Sequence, residues 1–338
     1  MRANSFAQRL LDWWVIHGRH DLPWQVERTA YRVWVSEIML QQTQVATVIP
    51  YFERFMASFP DLGSLAAADL DEVLAHWSGL GYYARARNLH LAARRCMDKH
   101  TGELPTSAEA LEDLPGIGRS TANAVIAQAH DRRAPILDGN VKRVLARHAG
   151  IEGWPGRAAT LRKLWQEAET RTPPTRARDY TQAIMDLGAT VCTARRPACD
   201  ECPVAVDCRA RIEGRVEELP TRKPKRHRPR RAVTLALVEN EAGEVLLQRR
   251  PPTGIWGGLW SLPRPDELES VEMGEVFQII EHHFTHFILD IEVRRARQPG
   301  PTHIGDADNL AWMHPRKALQ SGLPRPIRQI IEASTQAR

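Results

Sequence analysis

Long apolar runs are missing from this chain: none approaches the roughly 20 residues needed to span a bilayer. Also missing is the basic-then-apolar opening of a secretory signal, since the chain begins Met1-Arg2-Ala3-Asn4-Ser5. These two absences exclude a helical membrane protein and point away from export. Charge of one sign is in small excess. The net charge of +5 and pI of about 9.1 are compatible with a polyanion partner and say little more. Cysteine is scarce as well, at five residues among 338, which makes their placement informative.

Four of the five fall within seventeen residues, as Cys192-x6-Cys199-x2-Cys202-x5-Cys208. Intervals this short can bring four thiolates around one centre, and they come with Pro197 and Pro203, so the segment reads as a wrapped loop. Two ligand classes take four thiolates, a tetrahedral zinc ion or a cubane iron–sulfur cluster. Structural zinc usually takes two close Cys pairs joined by a longer arm. Here a single pair is that close, so the spacing favours a 4Fe-4S cluster. Such a centre needs reduced cysteines, which makes a reducing cytoplasm the coherent compartment. Cys96 lies in a helical pattern and reads as a packing residue.

Residues 1 to about 212 carry helical periodicity. Phe6, Leu10, Leu11 and Trp14 mark one face, and Tyr31–Leu40, Leu70–Trp77, Ala84–Met97, Ser107–Leu114 and Ser120–Ala129 continue the pattern. Thr221 to Arg231 then reads TRKPKRHRPRR, with seven Lys or Arg, two prolines and no acid, a basic linker able to add phosphate contacts. Beyond it Val233–Val238 and Glu244–Gln248 read as strands around a turn, Phe284–Val293 as another, and Pro326–Ala333 as a closing helix. The expected architecture is therefore multidomain: an all-α domain over 1–220, a linker over 221–231 and a smaller α+β domain over 232–338.

Two features carry chemistry. In Leu114-Pro-Gly-Ile-Gly118, Gly116 and Gly118 permit a tight turn between helices whose outward N–H groups suit one DNA phosphate. An ordinary αα-hairpin has the same outline. Glu37, alone in Val33-Trp34-Val35-Ser36-Glu37-Ile38-Met39-Leu40, should be desolvated and hold its proton near neutrality. Asp138, ahead of a helix starting near Val141, should stay ionised on the helix dipole, a task it would share with any N-cap. Acids pushed apart in pKa suit a reaction with one acid role and one charge-stabilising role.

Taken together, the hairpin, the aspartate loop and the cysteine loop resemble the endonuclease III superfamily of helix-hairpin-helix DNA glycosylases. Leu22-Pro23-Trp24, Ser36 to Gln44 and Gly79-Leu80-Gly81-Tyr82-Tyr83-Ala84-Arg85-Ala86 resemble its MutY-type adenine DNA glycosylase branch. The resemblance implies a monomeric bacterial enzyme acting on double-stranded DNA, removing adenine paired with 8-oxoguanine or guanine. It assigns Glu37 as the acid and Asp138 as the stabilising carboxylate. Trp24 and Gln182 fall at adenine-pocket positions, Gln42 and Tyr82 at wedge positions, Asn140 at the sugar, and Lys142 at phosphate. Ser120 stands where strand-cleaving relatives have a lysine nucleophile, which implies a monofunctional enzyme. The last third resembles the Nudix fold, with Phe284-Thr285-His286 at the 8-oxoguanine-reading loop. Glu267, Glu269, Glu272 and Glu275 do not reproduce a Nudix magnesium motif, so no pyrophosphatase is expected. The rival readings are an enzyme acting on oxidised pyrimidines and a non-enzymatic DNA-binding module.

Overall fold

The computed structural model describes residues 5–224, 227–268, 271–297 and 309–336. By packing the chain divides into two compact units, Met1–Ala66 with Leu91–Lys225, and Ala67–His90 with Arg226–Arg338.

The first unit is helical. Its opening helix, Phe6–His17, is capped by Ser5, whose side chain accepts from the Gln8 N–H, and buries Leu10, Leu11 and Trp14. That face packs into a core with Ile136, Leu137, Val141, Leu145, Tyr180 and Ile184. Ala30–Leu40 is a helix buried almost all round, and it packs along Arg119–His130. Ser36 is buried among the apolar residues, while Arg32 and Glu37 are half-buried. Gly139–Ala149 follows the segment Pro135–Asp138, and Ala177–Asp186 leads through a wide turn, Leu187–Val191, into the cysteine loop. Gly188 lets that turn approach closely, since a Cβ there would lie 2.6 Å from the Asn140 Cβ. The start of the basic linker returns to this unit: Gly153 N–H donates to Thr221 Oγ1 at 3.0 Å, and Lys223 lies over the Trp154 ring. Lys225 and Arg226 of the linker lie outside the described residues.

The second unit holds two three-stranded sheets. One has the order β1 (Arg230–Val238), β5 (Ile288–Arg297), β4 (Glu272–His283), with β1 and β5 parallel. The other has the order β3 (Trp260–Ser261), β2 (Val245–Arg249), β6 (Leu310–Met313), all antiparallel. Alternate residues of β1 serve two cores. Leu235 and Leu237 pack with Ile291, Val293, Ile327 and Ile330, while Ala236 and Val238 pack with Leu246 on the other face. Residues 67–90 belong to this unit through the Asp71–Arg249 ion pair at 2.6 Å and the Tyr83 hydroxyl, which donates to Leu323 O at 2.9 Å.

One expectation needs correction here. Phe284–Phe287 is a tight turn rather than the start of a strand, closed by Phe284 N–H donating to Phe287 O at 2.9 Å. Glu267 closes a short 3-10 helix, Pro265–Glu267, and is bound to Arg250 and Arg264, while Glu272 and Glu275 lie on β4. Glu269 lies outside the described residues. Among the described residues no helix is long and apolar enough to cross a membrane.

Candidate active site

Glu37 projects from the apolar helix Ala30–Leu40 and accepts one hydrogen bond, from Gln128 Nε2 to Oε1 at 2.9 Å. Burial, then the charge of Asp138, raise it to about 7, and the Gln128 donor pulls the other way. Asp138 caps Gly139–Ala149, its Oδ1 accepting the Val141 N–H at 2.7 Å. Its expected low value does not hold: burial raises it, against the pull of the Val141 N–H, Arg143, the Asn140 N–H and Lys142. Desolvation outweighs the cap because the carboxyl is enclosed. Asp138 has several donors and cations facing it, Glu37 has one donor, and the Asp138 charge helps Glu37 keep its proton.

The hairpin supplies the frame for both acids. Gly116 has φ +78° and takes the left-handed turn, whereas Gly118 is the extended N-cap of Arg119–His130 and leaves open space where a Cβ would stand. One glycine makes the bend, and the other keeps the N-terminus of a helix bare. Ser120 Oγ accepts the Leu137 N–H at 2.9 Å, and Asn123 Nδ2 donates to Pro135 O at 2.6 Å. Both bonds hold the segment that ends in Asp138.

Trp24 is buried edge-on to Phe52 at 5.5 Å. Gln182 is 2% exposed and donates to Asp186 at 2.8 Å, while its Oε1 has no partner and so can accept from a ligand. Asp186, fully buried, also accepts from Trp14 Nε1 at 3.0 Å and from Arg19 N, Nε and Nη2. Gln42 in the first unit and Tyr82 in the second both have left-handed backbones, with φ 60° and 50°. Such conformations are held at a cost by their surroundings and cluster at functional positions. Within the second unit Tyr82 Oη lies 3.4 Å from Thr285 Oγ1, and Phe284 stacks on Phe287, which His286 meets edge-on.

No disulfide joins the loop cysteines, and Cys192, Cys199, Cys202 and Cys208 line one cavity together with Val144, Leu187 and Ala205. Among the described residues no three His, Cys, Asp or Glu side chains converge as a single ion requires. Four thiols around one cavity supply the ligand set that an iron–sulfur cluster takes. Burial pushes the Cys202 thiol up to about 11, so metal binding has to displace its proton. The buried Arg147 donates to Cys192 Sγ at 3.3 Å. Arg143 connects this loop to the acids: it donates to Cys192 O at 2.7 Å and to Asn140 Oδ1 at 2.8 Å.

Comparison with known proteins agrees with this geometry. Residues 35–170 match the HhH-GPD superfamily of base excision DNA repair proteins, 192–208 the iron-sulfur binding domain of endonuclease III, and 234–333 the NUDIX domain. The chain is 37% identical to the adenine DNA glycosylase of Buchnera aphidicola subsp. Acyrthosiphon pisum (strain APS), over 98% of both chains. It is 39% identical to that of Rattus norvegicus, covering 98% of this chain and 78% of that one. This chain belongs to the adenine DNA glycosylase family. The solved structure of a thermostable thymine-DNA glycosylase matches with a TM-score of 0.56 and 28% identity, over 62% of this chain and 95% of that one.

As a member of the adenine DNA glycosylase family it is a DNA-binding base excision repair enzyme that hydrolyses an N-glycosidic bond, and it carries an iron–sulfur cluster on the cysteine loop. Four residues of the site escape a reading of the sequence: Gln128, Asn123, Arg143 and Asp186. Gln128 had a usable signal. It is a single amide in Ala124-Val125-Ile126-Ala127-Gln128-Ala129, the same pattern that singles out Glu37.

Proposed function

We propose that this glycosylase removes adenine paired with 8-oxoguanine or guanine in double-stranded DNA, acting as a monomer with a 4Fe-4S cluster. The observation that carries the proposal is the acid pair held by one helix: Gln128 donates to Glu37, while Ser120 and Asn123 hold the segment that ends in Asp138, and burial raises Glu37 to about 7. The adenine leaves the stack before its bond can break. Trp24 and the free Gln182 Oε1 receive the base. Glu37 gives its proton to N7 of the adenine. The C1′–N9 electron pair then departs with a neutral base rather than an anion. Positive charge grows on the sugar, and the Asp138 carboxylate, with Asn140 beside it, stabilises that charge. Water adds to C1′, its proton passing to Glu37.

No amine stands at Ser120, and its hydroxyl already accepts the Leu137 N–H, so strand cleavage should need heat or alkali. Gly116, Gly118 and Lys142 hold phosphate, and Gln42 and Tyr82 fill the gap left by the extruded base. Phe284, Thr285 and His286 read 8-oxoguanine from the turn between β4 and β5. The working division is a catalytic part over 1–220, a linker over 221–231 and a reading part over 232–338. Bound at Cys192, Cys199, Cys202 and Cys208, the cluster supplies a rigid centre that fixes the loop carrying Arg195, Arg196, Arg209 and Arg211 near phosphate.

The test is timed release of free adenine from duplexes with A opposite 8-oxoguanine or guanine. Release from both is expected, faster opposite 8-oxoguanine, and none from Glu37→Gln. Tight mismatch binding without release by the wild-type holoprotein would overturn the proposal.

A further inference from the structure

We propose that Gln128 is a positioning residue for the proton that Glu37 transfers, selecting which carboxyl oxygen carries it. Gln128 is 2% exposed on the inner face of Arg119–His130, and its Nε2 donates to Glu37 Oε1 at 2.9 Å. An amide N–H needs an acceptor. In the protonated acid the acceptor is the carbonyl-type oxygen, so occupation of Oε1 leaves the proton on Oε2. A free carboxylic acid can exchange the roles of its two oxygens by rotating, and this bond removes that freedom. Oε2 then delivers its proton to the base, and the C–N bond breaks toward the protonated adenine.

Gln128 is itself held from behind. Arg178 Nε donates to Gln128 O at 2.7 Å and Nη2 to Ala129 O at 3.0 Å. Asp131, at φ +50°, ends the helix and accepts the Arg178 N–H at 2.8 Å. The end of the helix is therefore fixed where the amide must reach Glu37. A buried amide in a run of Ala, Val and Ile costs stability unless it is bonded, and here Glu37 supplies that bond.

A dependence on pH follows. The groups acting on Glu37 are Asp138 and Gln128, and Arg143 and Lys142 act in turn on Asp138. The Gln128 donor favours the ionised form of Glu37, so its removal moves the loss of the proton to higher pH.

The inference rests on Glu37 as the acid, and the experiment separates the two. Single-turnover adenine release by the holoprotein is measured from pH 5 to 9 for wild type, Gln128→Met and Glu37→Gln. Methionine matches glutamine in length and cannot donate. Gln128→Met should move the alkaline limb up by about one pH unit and lower the plateau several-fold, with unchanged mismatch affinity. Gln128→Asn, polar but too short to reach Glu37, should do the same and serves if the methionine variant does not fold. A Gln128→Met or Gln128→Asn profile superimposable on wild type, with Glu37→Gln inactive, overturns the role of Gln128 alone. Release surviving in Glu37→Gln overturns the acid assignment beneath it.

Discussion

Replacing Glu37, the proposed acid, should make the protein more stable, and by an amount that depends on pH. Glu37 has a folded-state value of about 7 against an ordinary 4.5. Because the folded value is the higher one, the folded form binds the proton more tightly than the unfolded chain. The contribution of Glu37 is therefore intact below about pH 4.5 and falls as pH rises, until it is gone above about 7. The difference amounts to about 3 kcal/mol at pH 8 and roughly 1 kcal/mol at pH 5. Glu37→Gln cannot ionise, and its Oε1 can still accept from Gln128, so it escapes this loss. For a unit of about 200 residues the gain at pH 8 corresponds to a melting point raised by roughly 6–12 °C. Melting curves of wild-type and Glu37→Gln holoprotein at pH 5 and 8, with adenine release measured alongside, test the reasoning. The expected result is an inactive variant that melts well above wild type at pH 8 and close to it at pH 5. Equal melting points at pH 8, or a gap independent of pH, would refute the claim that burial holds the proton on Glu37.

Three other outcomes are expected. Wild-type single-turnover excision should be highest below pH 7 and fall about tenfold per pH unit well above it, whereas a rate undiminished at pH 9 would remove Glu37 as the proton donor. Ser120→Ala leaves the Leu137 N–H without its partner, so it should cost about 1–3 kcal/mol in denaturant unfolding and slow excision while mismatch affinity holds. Arg143→Met cuts the connection from Cys192 O to Asn140. Iron should then pass faster to the chelator ferrozine and excision should slow. A variant with the wild-type rate of iron release would show that Arg143 does not brace the loop.

Most helices were legible because their burial is one-sided or complete, as in Phe6–His17 and Ala30–Leu40, and the apolar spacing reports it directly. The strands β1 and β2 were legible for the same reason, as short apolar runs on either side of a turn. β4 was not. Its sequence EMGEVFQIIEHH is largely half-buried or exposed, and register shifts between Met273 and Val276 and between Val276 and Gln278 break the alternation. The site was legible where a polar residue interrupts an apolar pattern, and Glu37 is the clear case. Asp138 was legible as a cap, but its raised pKa was not, because enclosure by other elements leaves no trace in the local sequence.

The hairpin helix Arg119–His130 has a task apart from the phosphate contact proposed for its N-terminus. Ser120 and Asn123, one turn apart, hold the segment before Asp138, and Gln128, two turns from Ser120, holds Glu37. The two acids come from segments about a hundred residues apart in the chain, and each is costly to bury. Attaching both to one rigid helix means that their separation is set by a single backbone rather than by the packing of several. The bare N-terminus at Gly118 belongs to the same backbone. On the proposed function, a phosphate bound there and the acid pair would be fixed at one distance from each other. Binding energy gained at the phosphate can in this way orient the glycosidic bond against Glu37 and Asp138, which is where differential stabilisation of the transition state has to be spent.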